Sequence, residues 1–205
     1  INAGNGQITV ATSWALNFET TPIFNLTVQV TDNGTPALSG TNTITVNLNN
    51  VNEVSVVNPA TFAINENSAN GTVVGTATYT DSDAGQTHTF TITAGNTGGA
   101  FGINAGTGQI TVATSAALNF ETTPTFNLTV QVTDNGTPAL SGTNTITVNL
   151  TNVNEVSVVN PATFSINENS ANGTAVGTVT YTDPDAGQTH TFTITAGNTG
   201  GAFGI

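Results

Sequence analysis

Lys, Arg and Cys are absent from this 205-residue chain, and it holds a single Trp. Without basic side chains it cannot bring counter-charge to nucleic-acid phosphate or to an anionic membrane surface, so those partner classes and polybasic targeting are excluded. Without cysteine there are no disulfides, no thiolate catalysis and no Cys-ligated zinc. No apolar run approaches the ~20 residues needed to span a bilayer as a helix. No signal peptide is present, so any anchor or secretion signal is expected outside these residues.

What is present is a register of acids. All twelve carboxylates fall at six positions that recur every 102 residues: Glu19/Glu121, Asp32/Asp134, Glu53/Glu155, Glu66/Glu168, Asp81/Asp183 and Asp83/Asp185. The chain itself repeats with that period. Residues 1–103 differ from 103–205 only at Asn5/Thr107, Trp14/Ala116, Ile23/Thr125, Asn49/Thr151, Ala63/Ser165, Val73/Ala175, Ala77/Val179 and Ser82/Pro184. A domain-sized period of this fidelity predicts a tandem array of modules. With a formal charge of −12 and no Lys or Arg, clustered carboxylates need a counter-ion that no side-chain cation supplies. A divalent metal is the leading candidate, and calcium is the default hard cation outside the cell.

Thr and Asn alternate with β-branched or aromatic residues, the period-two signature of a sheet with one wet face. Phe24, Leu26, Val28 and Val30 point one way, and Asn25, Thr27, Gln29 and Thr31 the other. Turn signals such as Asp32-Asn33-Gly34-Thr35-Pro36, Asn70-Gly71 and Asp83-Ala84-Gly85 separate the runs. In the middle unit, strands are predicted near 60–66, 72–80, 86–93, 108–112, 115–119, 124–133 and 142–151. That count predicts an all-β chain of tandem immunoglobulin-like seven-strand sandwiches. The exchange of Val73 with Ala77 for Ala175 with Val179 suggests one shared packing site, unless a bulge near Gly75 separates the two.

The ordered motifs Ile64-Asn65-Glu66-Asn67, Asp81-Ser82-Asp83, Leu118-Asn119-Phe120-Glu121, Val132-Thr133-Asp134-Asn135-Gly136-Thr137-Pro138 and Asn152-Val153-Asn154-Glu155 resemble those of a cadherin repeat. The near-identical units and the Thr/Asn-rich composition look more like the cadherin-like arrays of large bacterial surface adhesins than like animal cadherins. The resemblance implies calcium at each junction between repeats. At the first junction the implied ligands are Glu19, with Asn17 as a further candidate, then Asn50, a backbone carbonyl at Val51 or Asn52, Asn52, Glu53, Asp81, Asp83 and Asp134. At the second they are Glu66, Asn119, Glu121, Asn152, Asn154, Glu155, Asp183 and Asp185. Asp32 and Glu168 would serve junctions beyond either end. The family linker Asp-x-Asn-Asp-Asn-x-Pro is here Asn50-Val51-Asn52-Glu53-Val54, and Leu-Asp-x-Glu is Leu16-Asn17-Phe18-Glu19. Fewer carboxylates imply one or two ions per junction rather than three.

The residues alone support Asp81-x-Asp83 less specifically, since two carboxylates at a strand end are also a common solvated turn. His88 and His190 share parity with Phe90 and Ile92 and read as strand residues at the sandwich edge rather than as catalysts. No nucleophile elbow, triad or phosphate loop is present, so no catalytic or organic-cofactor residues are assigned and no enzyme is expected. Asn-x-Thr triplets at Asn25, Asn33, Asn70, Asn127, Asn135, Asn149 and Asn172 are glycan acceptors only in a eukaryotic secretory pathway.

The expected division is the C-terminal part of one repeat at 1–55, a complete repeat at 56–157 and the N-terminal part of the next at 158–205. Ile1 and Ile205 share one phase, between the third and fourth strands. Continuation of the chain in both directions is therefore expected, ahead of completion of one molecule by another through strand complementation. The expected role is a calcium-stiffened extracellular spacer in a surface adhesin or filament, with adjacent repeats, and other copies of itself, as partners. Alternatives are a self-assembling filament subunit and a module recognising sugars or another copy.

Overall fold

The computed structural model describes all 205 residues and contains strands and short 3₁₀ turns but no α-helix. Thirteen strands run in chain order: β1 (Ile23–Thr31), β2 (Ser39–Asn47), β3 (Val56–Val57), β4 (Ala60–Asn65), β5 (Val73–Thr76), β6 (Tyr79–Thr80), β7 (His88–Ala94), β8 (Phe101–Ile103), β9 (Gln109–Val112), β10 (Thr125–Asp134), β11 (Ser141–Thr151), β12 (Val158–Val159) and β13 (Tyr181–Thr182).

The middle unit is a two-layer sandwich. One sheet has the order β4-β11-β10-β7, with β4 parallel to β11 and the other pairings antiparallel. The second has the order β5-β9-β8, and β3 and β6 add a two-residue ladder. Alternation sends Phe126, Leu128, Val130 and Val132 of β10 inward, together with Ile146, Val148 and Leu150 of β11. Their neighbours in sequence, such as Asn127, Thr145 and Thr147, form cross-strand polar pairs on the outer face. All fifteen buried core residues lie between Val57 and Leu150. Each fully buried aliphatic or aromatic side chain contributes about 1.5–3 kcal/mol of transfer free energy. Gly95 closes the β7–β10 approach. Its φ is +78°, and a Cβ there would stand 1.8 Å from the Asn127 carbonyl oxygen, so no other residue fits.

The strand pattern departs from expectation at several places. Residues 115–119 form a 3₁₀ turn, Ser115–Ala117, because Ala117 and Leu118 donate to Thr114 and Ser115 rather than to a neighbouring strand. The strand β8 was not foreseen. The predicted strand 72–80 divides into β5 and β6, with a register shift between Val73 and Gly75. That bulge leaves Val73 exposed while Ala77 is buried, so the two do not share a packing site. Residues 1–55 hold only the β1–β2 hairpin where four strands were expected, and residues 158–205 hold β12 and β13 where three were expected. Extended segments there have no paired neighbour to complete a ladder. The β1–β2 register matches that of β10–β11, residue for residue at a 102-residue offset.

Candidate metal centre

The fold gathers carboxylates at two places. Glu19, from the turn before β1, Glu53, from the linker before β3, and Asp83, from the turn after β6, have oxygens within 4.8 Å of one another. Glu66, just after β4, Glu121, before β10, and Glu155, in the linker after β11, form a second group within the same limit. Glu19 and Glu53 are the 102-residue equivalents of Glu121 and Glu155. The two groups are therefore overlapping views of one design, with Glu66 and Asp83 contributed from opposite sides of the linker. Two oxygens bound to one calcium at 2.3–2.6 Å lie at most ~5 Å apart, so each group is within the span of a single ion. The donor set is hard oxygen throughout, with no sulfur or imidazole in either group. Glu155 Oε2 is buried without a hydrogen-bond partner, which leaves a lone pair free for a cation.

Electrostatics agree with a missing positive charge. Burial, then Glu19 and Asp83, push the Glu53 carboxyl above its ordinary value. Burial likewise raises Glu155, with Glu66, Glu121 and Asp185 adding to the push and the Asn67 amide opposing it. A cation between these groups would oppose that rise by favouring the ionised carboxylates.

The remaining sequence-predicted ligands divide. Asp83 accepts Asn50 Nδ2–H at 2.7 Å and the Glu53 N–H at 2.9 Å. Asp185 accepts the Glu155 N–H in the same way, at 2.8 Å, without joining the second group. Asn52 donates to Asp134 Oδ1 and to the Pro138 carbonyl, while its own Oδ1 accepts from Gln86. Asn154 Oδ1 is taken by Gln188 in the same manner, and Asn152 makes no side-chain hydrogen bond. Asn17 and Asn119 turn their Oδ1 atoms onto the amides of Thr20 and Thr122, outside both groups. Asp134 is buried. Burial raises its carboxyl, but the amides of Leu140 and Gly136 and the Asn52 side chain outweigh that and hold it below its ordinary value.

Asp81 and Asp183 lie in neither carboxylate group. Ser55 Oγ and His88 Nε2 both stand 2.6 Å from Asp81 Oδ2, and Ser157 and His190 repeat the arrangement at Asp183. Burial pushes Asp81 up and these donors more than reverse it; at Asp183 the Ser157 and His190 bonds dominate and the carboxyl is likewise lowered. His88 is therefore a partner of a junction acid and not merely an edge residue. The signal was present in the constant Ser55/Asp81/His88 and Ser157/Asp183/His190 spacing, involving the chain's only histidines.

The sequence and the fold are both similar to those of known proteins. Residues 60–151 fit the family profile described as "Cadherin domain". Human Protocadherin Fat 4 is 34% identical over 198 residues, a match covering 91% of this chain and 4% of that protein. The chain thus spans a small fraction of the length of such relatives. Among solved structures, mouse Cadherin-23 EC22-24 aligns over 84% of this chain and 57% of its own, at 25% identity and a TM-score of 0.60. The Protocadherin gammaB7 EC3-6 cis-dimer structure aligns over 84% and 45%, at 25% identity and a TM-score of 0.57. The named relatives are animal cadherins, not bacterial adhesins, so the bacterial resemblance gains no support from them. The all-β tandem sandwich, the profile match and these relatives together identify the segment around residues 60–151 as a cadherin-like repeat.

Proposed function

We propose that this chain is a stretch of a calcium-stiffened extracellular spacer, a shaft that holds adhesive parts of a cell-surface protein at a distance. One observation carries the reading: each carboxylate group combines oxygens from more than one segment around a linker, in a chain with no Lys or Arg. Residues 1–55, 56–157 and 158–205 are taken as part of one repeat, a whole repeat and part of the next.

Calcium would be held by Glu19, Glu53 and Asp83 at the first junction, and by Glu66, Glu121 and Glu155, with Asp185 adjoining, at the second. When bound, the ion supplies positive charge shared between segments. The chain's own residues do the rest: Asn50 and the Glu53 amide fix Asp83, while the amides of Phe120 and Val153 fix Glu66. Asp81, Asn52, Asn154 and Asp183 then support the linker through hydrogen bonds, while Asp134, whose Oδ2 is buried without a partner, and Asn152 stay available as further ligands, which fits one or two ions per junction. Without metal, like charges repel across the linker and its bend angle is free. Self-association is a further reading, carried by the cis-dimer named for the protocadherin structure. A bacterial filament would use the same junction physics.

Small-angle scattering with and without chelator tests the proposal. Chelation is expected to shorten and broaden the distribution of particle lengths while the sandwiches stay folded. An unchanged scattering profile would overturn the stiffening role.

A further inference from the structure

The linker is also held by a route that uses no metal. Asp81 and His88 side chains are 3% and 4% exposed. A carboxylate offers only acceptors, so at neutral pH the 2.6 Å contact to Asp81 Oδ2 places the hydrogen on His88 Nε2. The Tyr79 ring lies over the imidazole, centroids 3.9 Å apart, and fixes its plane. Asp81 Oδ1 in turn accepts the Asp83 N–H at 2.9 Å, and Asp83 accepts Asn50 Nδ2–H and the Glu53 N–H. Ser55 completes the hold from the linker side. The next unit repeats this through His190, Tyr181, Ser157, Asp183, Asp185 and the Glu155 amide.

We propose that His88 and His190 are positioning residues that, through Asp81 and Asp183, keep each linker docked on the unit that follows it when no metal is bound. The linker is tied backward at Val153 by Glu66 and forward at Glu155 by Asp185. At the second junction the pivot without metal is then confined to Val153–Glu155, while at the first the Asp83 carboxylate holds the Glu53 amide forward. This deepens the spacer reading, since it says where the shaft bends.

The test is amide hydrogen exchange on the whole chain in chelator. The Glu53 and Asp83 amides are expected to exchange at least a hundredfold more slowly than in an unstructured chain. His88→Ala should speed both at least tenfold while leaving the Glu155 and Asp185 amides, served by His190, and the β10 and β11 amides unchanged. His88→Gln, which keeps an N–H donor near the position of Nε2, should restore protection. Coil-like exchange of Glu53 and Asp83 in the native chain, or no change in His88→Ala, overturns the proposal. If His88→Ala also loosens β10 and β11, the Gln variant decides: protection supports the lock, and its loss with an intact core refutes it. Calcium binding measured on the same chain is a separate readout. Its failure would sink the spacer reading and leave this result standing.

Discussion

Glu66→Ala separates what a junction carboxylate does for the fold from what it does for metal. Glu66 is 2% exposed, and its two oxygens accept the Phe120 and Val153 amides at 2.8 Å each. Truncation strands both donors, and a buried unpaired N–H costs about 1–3 kcal/mol, so about 2–6 kcal/mol is at stake. Water entering the vacated space brings the expected loss toward the lower half. One effect opposes it: the like-charge push on Glu155 is relieved. Because Glu121 and much of this rim are exposed, solvent screens that gain, and the hydrogen-bond loss dominates.

The assay is exchange of the β10 and β11 amides in metal-free buffer, which reports opening of this sandwich. A loss of about 3 kcal/mol speeds exchange by roughly a hundredfold. Glu66→Gln keeps one acceptor and presents its NH₂ to the other amide, so about half the loss is expected. In calcium at a hundredfold excess over Kd, the native chain gains about 2.7 kcal/mol by mass action, and both variants should forfeit most of it. A change below threefold in metal-free Glu66→Ala refutes the structural role. Full calcium stabilisation of Glu66→Gln refutes the ligating one.

Leu128→Ala, at a fully buried position of β10, should cost about 2–5 kcal/mol in the same exchange assay, and a loss under 1 kcal/mol would place the core elsewhere. Gly136→Ala places a Cβ 1.9 Å from Asn52 Oδ1, so it should displace Asn52 from Asp134 and speed exchange around the linker while β10 stays protected; unaltered linker exchange would refute that coupling. The pH response should run in two directions without metal. Asp32, Asp81, Asp134 and Asp183 are held low, so their stabilisation is present above the unfolded carboxylate value and is lost as pH falls through their lowered values. Glu53 and Glu155 are raised above 4.5, so their contribution is present below that value and is lost as pH rises through the raised ones. The thermal midpoint of metal-stripped protein should therefore peak in mild acid, and saturating calcium should remove the decline on the alkaline side. A midpoint that climbs steadily to neutrality without metal would refute the assignment.

Period-two alternation made β10 and β11 legible because each inward side chain meets a dry face and each outward one meets water. The same rule failed at 115–119, where Ser and Ala satisfy their backbone locally and no alternation is enforced. It also missed β8, whose Phe101-Gly102-Ile103 is too short to show a period. The bulge at Gly75 was suspected from a glycine in a strand, yet its consequence for Val73 and Ala77 depends on a register that only pairing sets. The carboxylate register was visible at once, and so were the residues that would form it. Which carboxylates meet was not, since spacing along the chain says nothing about whether an acid turns toward another acid or toward an N–H.

That distinction changes how the missing basic residues are read. Uncompensated acids at six recurring positions suggest six claims on metal per repeat, but the donors nearby remove some of them. Asp32 Oδ1 and Asp134 Oδ1 are held by the backbone of their own turns, at Gly34 with Leu38 and at Gly136 with Leu140, although Asp134 Oδ2 is left buried without a partner. Asp81 and Asp183 are held by serine and histidine. The claims left for a cation come from Glu19, Glu53 and Asp83, or Glu66, Glu121 and Glu155, which are the carboxylates reaching across the linker, and from the unpartnered Oδ2 of Asp134. On the proposed reading, a unit built this way keeps each linker's departure direction through hydrogen bonds and leaves to metal only the angle at the pivot. Stiffness could then respond to calcium over a wide range without the sandwiches themselves unfolding.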